Sequence, residues 1–114
     1  MKIAKWDINN QICKLGKNEY SVDRLKELSK EFEVFDAPID CLNVYNTYDK
    51  LSLREMVMHI QAVLDCDLTY PIILDEDGEI MDGRHRIMKA ILNGDKTIKA
   101  VRFDKNPLPC RRDE

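Results

Sequence analysis

Between Pro71 and Phe103 the chain changes its hydrophobic period three times, and that block limits the fold more than any other part of it. Pro71-Ile72-Ile73-Leu74 is an apolar run of strand length. Asp75-Glu76-Asp77-Gly78 follows, with a glycine free to take the positive φ of a tight turn. Glu79-Ile80-Met81 returns as a second strand. Asp82-Gly83 turns the chain into a helix predicted over 84–92, with Ile87, Ala90 and Ile91 toward the core and Asn93-Gly94 as its stop. A strand rich in β-branched residues is predicted over 97–103. Strand, hairpin return, helix and strand in so short a stretch describe an α+β core.

The preceding residues supply weaker signals. Residues 2–8 alternate as a strand anchored by Ile3 and Ile8, and Asn9-Asn10 and Leu15-Gly16-Lys17-Asn18 read as turns. Ser21 is suited to cap a helix running to about Phe32, on which Val22, Leu25, Leu28 and Phe32 form one apolar stripe. Residues 33–45 are extended and irregular, with Pro38 unable to donate to a central ladder, and Tyr45-Asn46-Thr47-Tyr48-Asp49 is loop. Ser52-Leu53-Arg54-Glu55 has the capping-box pattern and opens a helix to about Asp65. Its expected buried side is Leu53, Met56, Val57, Ile60, Val63 and Leu64, which leaves His59 on the surface beside Glu55.

No repeat or linker divides the 114 residues, so one domain is expected over 1–114, a mixed sheet packed with about three helices. Within it, 1–36 is an N-terminal strand and helix of unassigned role, 37–103 the core and 104–114 a C-terminal tail. No apolar run is long enough to span a bilayer, and charge interrupts the first residues, unlike a secretory signal, so a cytoplasmic protein without membrane contact is expected. The four cysteines, at 13, 41, 66 and 110, form no closely spaced pair. That spacing speaks against zinc and for reduced thiols.

Charge is unevenly placed. Residues 1–81 hold nine Lys/Arg against sixteen Asp/Glu, whereas 82–112 hold nine against three. The basic quarter begins at Asp82-Gly83-Arg84-His85-Arg86. A helix start presents unpaired N–H groups and a positive dipole end, so two arginines and a histidine there oppose the helix. A bound anion would offset that repulsion, and phosphate matches both backbone donors and arginine forks. On this reading the phosphate-binding residues are Gly83, Arg84, His85 and Arg86. His85 donates a hydrogen bond or shuttles a proton, and Asp82 holds Mg²⁺ through water. A purely structural account stands beside it: Asp82 as N-cap, Gly83 as turn, His85 as core, Arg86 paired with an acidic residue of the hairpin such as Glu79.

The block from Ala37-Pro38-Ile39-Asp40-Cys41-Leu42, through the helix 53–64, to the hairpin, D-G-R-H-R, helix and strand 97–103 resembles the ParB/sulfiredoxin superfamily over roughly 37–103. In sulfiredoxins the motif is G-C-H-R and carries the catalytic cysteine; Arg84 stands at that position here, so the thiol nucleophile is missing. In ParB proteins a G-E-x-R-like motif binds CTP, and Gly83 and Arg86 match it. The free serine kinase branch, with D-G-H-H-R, is nearest: Asp82, Gly83, His85 and Arg86 coincide and Arg84 departs. The further catalytic glutamate of those kinases has no evident counterpart here. The resemblance implies a nucleotide-binding domain (ATP or CTP with Mg²⁺), an NTPase or phosphotransferase with His85 and Asp82 as catalytic candidates. Two other readings compete. One is a DNA-binding or nuclease module using Lys89, Lys96, Lys99, Arg102, Arg111 and Arg112. The other is a non-catalytic interaction or inhibitor protein, with a protein partner or a homodimer.

Overall fold

The computed structural model describes residues 12–44 and 50–112; the strand expected over 2–8, the Asn9-Asn10 turn and the loop at 45–49 lie outside the described residues. The elements are β1 (Ile12–Leu15), β2 (Asn18–Ser21), α1 (Val22–Ser29), β3 (Phe35–Pro38), a 3₁₀ turn (Ile39–Cys41), α2 (Leu53–Asp65), β4 (Ile72–Leu74), β5 (Ile80–Asp82), α3 (Arg84–Leu92), β6 (Thr97–Arg102) and β7 (Arg111–Arg112). The α+β class with three helices and a mixed sheet is what the sequence predicts.

The central sheet has the order β3-β6-β4-β5. β4 and β5 form the expected hairpin, and α3 carries the chain over to β6, which pairs with β4 in parallel, Ile73 opposite Val101. β3 lies antiparallel on the outer edge of β6, where Pro38 costs no interior ladder bond. Both faces of this sheet are covered, so β4 is apolar at every position. Ile72, Leu74, Ile80, Ile98 and Ala100 pack on one face with Ile87 and Ala90 of α3. Ile73, Met81, Val101 and Phe103 pack on the other against Cys13, Tyr20 and Leu25.

That second layer comes from residues the sequence reading leaves without a role. β1 and β2 form a tight hairpin around Gly16 (φ 60°), and β7 adds a third strand to it. The segment 104–112, expected as a tail, therefore returns to the first residues of the fold: Tyr20 Oη donates to Pro107 O at 3.1 Å and Cys110 N to Glu19 O at 2.8 Å. Helix α1 stops at Ser29, short of Phe32, which still reaches the core by meeting Phe103 edge-on, centroids 5.4 Å apart. Leu28 and Ile91, both expected to face the core, are 37% and 50% exposed.

Helix α2 departs furthest from expectation. Its capping box forms as read, Ser52 Oγ accepting from Glu55 N and Glu55 Oε1 accepting from Ser52 N. Yet the expected buried stripe points outward: Leu53 is 83% exposed, Ile60 55% and Leu64 56%, with Met56 and Val57 also exposed. The inner side carries His59, Ala62 and Cys66, all half-buried, and Val63 is the one member of the expected stripe that is not exposed. Lys89 of α3 holds the end of this helix, its Nζ donating to Cys66 O at 2.7 Å and Leu64 O at 3.1 Å. No described helix is long and apolar enough to cross a membrane.

Candidate functional site

The start of α3 is built by Gly83. Its φ of 112° is open to glycine and strained for other residues, and a Cβ there would lie 2.8 Å from Cβ of Ile72. The glycine thus lets the helix begin directly on the strand β4. It occupies the N-cap position, with no side chain capping the helix and no acidic residue in the first turn. The first backbone bond of the helix runs from Ile87 N to Gly83 O. The positive end of α3 is therefore not offset by a carboxylate of its own first turn.

Asp82 and Arg86 meet across this turn. Arg86 Nη2 donates to Asp82 Oδ2 at 2.8 Å and more weakly to Pro71 O at 3.4 Å, with both side chains largely buried. The hairpin carboxylate suggested for Arg86, Glu79, is replaced by Asp82, which is four residues away on the approach to the helix. Arg86 Nε is buried and has no hydrogen-bond partner among the described residues. Buried guanidinium donors are nearly always satisfied, so an unpaired one sets the start of α3 apart. Arg84 is the exposed member of the motif.

His85 turns toward α2. Its Nε2 lies 2.8 Å from Nδ1 of His59, close enough for a hydrogen bond in which one ring donates and the other accepts. Burial, and then the neighbouring His59, bring the His85 pKa down to about 4, so the ring is neutral near pH 7. The sequence reading counts His85 among three potential cations; in the folded chain it is a neutral donor or acceptor. His59, expected on the surface beside Glu55, instead joins the site from a second helix. The signal was present in the sequence in part: His59 lies off the apolar stripe, on a flank of the helix that meets α3 once the stripe faces out.

The six basic positions of the nucleic-acid reading do not form one uncommitted track. Lys89 is held by α2 carbonyls and Arg102 by Glu76 O, with Nε at 3.2 Å. Lys96 and Lys99 are exposed beside and on β6, and Arg111 and Arg112 form β7. All four cysteines are free thiols. Among the described residues no group of three or more His, Cys, Asp or Glu could hold a metal by itself, so a cation at Asp82 would need ligand oxygens to complete its shell. No family model, curated protein or solved structure matches the chain.

Proposed function

We propose that this is a ParB/sulfiredoxin-like nucleotide-binding domain, holding the phosphates of ATP or CTP at the start of α3. The observation that carries the reading is the buried, unpartnered Nε of Arg86 at a helix end with no side-chain cap and no acidic first turn. An anion at this end would accept from first-turn N–H groups, as phosphates do at other helix starts. Exposed Arg84 would contact a second phosphate. Asp82, with Oδ2 on Arg86, would offer Oδ1 to a hydrated magnesium ion. Neutral His85 would accept a proton from an attacking hydroxyl and pass it toward His59. The order hairpin, motif, α3 and β6 is the order of elements on which the resemblance rests, and it supports the reading.

The test is thermal unfolding of the wild type and of Arg84→Ala with millimolar ATP, ADP or CTP and Mg²⁺. Arg84 is the better probe, because Arg86 also holds Asp82 and its loss would alter stability without any ligand. A ligand bound only by the folded state at 100 times its Kd adds about 2.7 kcal/mol and raises the midpoint. The expected result is such a rise in the wild type, reduced in Arg84→Ala. A midpoint unmoved by every nucleotide would overturn the proposal.

A further inference from the structure

Helix α2 carries an apolar stripe with nothing from its own described fold on top of it. Leu53, Met56, Val57, Ile60 and Leu64 recur at helical spacing, and their exposures run from 39% to 83%. The helix is anchored from its other side, by the His59–His85 contact and by Lys89 on its last carbonyls. The stripe is thus held in a fixed orientation, facing away from the domain.

We propose that this stripe is a homodimer interface, formed by antiparallel packing of α2 against α2 of a second copy about a two-fold axis near Ile60. Charge placement points to this occupant. Arg54 lies in the first turn, while Asp65 ends the helix and Asp67 follows it. Arg54 and Asp65 are separated by about three turns, so both border the same edge of the stripe. In an antiparallel pair centred on Ile60, Arg54 of each copy lies across from Asp65 and Asp67 of the other. Parallel pairing would leave each Arg54 about three turns from Asp65 of the other copy. The antiparallel arrangement also opposes the two helix dipoles. It places Met56 against Val63 and Val57 against Leu64 of the other copy, a self-complementary pattern of the kind an isologous contact requires. Covering these five side chains completely removes on the order of 500 Å² per copy, about 1,000 Å² in all, the lower end of what a specific interface buries.

The experiment is sedimentation equilibrium of the full chain over a series of rising concentrations, since buried area alone does not set the affinity. The wild type is expected to be a dimer. Ile60→Glu is expected to be a monomer with an unchanged far-ultraviolet circular dichroism spectrum, since the residue makes no core contact. Arg54→Asp is expected to weaken the dimer at least tenfold, and Arg54→Asp combined with Asp65→Arg to restore it. This rescue separates a specific pairing from a damaged fold. A wild type that stays monomeric would overturn the proposal, as would a dimer unaffected by Ile60→Glu. A monomer whose Trp6 fluorescence shifts to the red in Ile60→Glu would assign the stripe to the chain's own first residues, and would overturn it as well.

Discussion

Gly83 meets two demands with one missing atom. It supplies a backbone angle that other residues adopt only under strain, and it leaves room for Ile72 beneath the helix start. Gly83→Ala is expected to cost about 3 kcal/mol, combining left-handed strain with overpacking, and a denaturant midpoint measurement checks it. The glycine and its turn were legible in the sequence, because Asp-Gly before an amphipathic run has few other meanings. Its closeness to Ile72 was not, since that depends on how a helix settles on a sheet. The motif arginines and histidine were legible as types but not as pairs. Arg86 turns back to Asp82, and His85 finds a partner 26 positions earlier in the chain. A second expectation concerns acid. The folded chain lowers the His85 pKa from 6.5 to about 4, so the unfolded chain binds that proton more readily between those values. Its stabilising contribution is complete above pH 6.5 and is lost as the pH falls toward 4. Wild-type melting temperatures should fall across that window, and His85→Gln should flatten the slope.

The two long-signal helices show where periodicity succeeds and where it misleads. The limits of α3 agree with the sequence, because Gly83 and Asn93-Gly94 mark both ends by local backbone chemistry. Ser52 and Glu55 likewise placed the start of α2. Periodicity locates an apolar stripe but carries no information about what covers it, so it predicts a core position for the stripe of α2, which stands outside the core. A mutational contrast tests this directly. Ile72→Ala, at a fully buried strand position, is expected to destabilise by about 3–4 kcal/mol. Ile60→Ala is expected to cost about 0.5 kcal/mol under conditions where the protein is monomeric. Equal effects in urea titrations would return α2 to the interior. The β1–β2 hairpin was missed for a different reason. Its strands, Ile-Cys-Lys-Leu and Asn-Glu-Tyr-Ser, are too short and polar to show a period, and they are held by tertiary contacts of Tyr20 and Cys13.

At the scale of the whole molecule, the fold is a four-stranded sheet with a layer on each face, and each layer draws on distant parts of the chain. The core strands were legible because a sheet covered on both sides requires apolar residues at consecutive positions, as in Ile72-Ile73-Leu74. The outer layer was not, because joining residues 12–32 to 104–112 leaves no local pattern. That joining has a kinetic consequence. β3 cannot pair until β6 exists, with Phe35 opposite Ala100, and β2 gains its second neighbour only when Arg112 comes opposite Asn18. The two hairpins, β1–β2 and β4–β5, and the three helices can organise from neighbouring residues, but the pairings β3–β6, β4–β6 and β2–β7 that join them cannot. Chains dominated by such distant pairings close large loops before any contact rewards them, and they fold in about milliseconds to seconds rather than microseconds. Stopped-flow refolding is expected to fall in that slow range. Tyr20→Phe, which removes the hydroxyl that ties the last segment to the first, is expected chiefly to speed unfolding, because the return strand is the last piece to arrive and the first to leave.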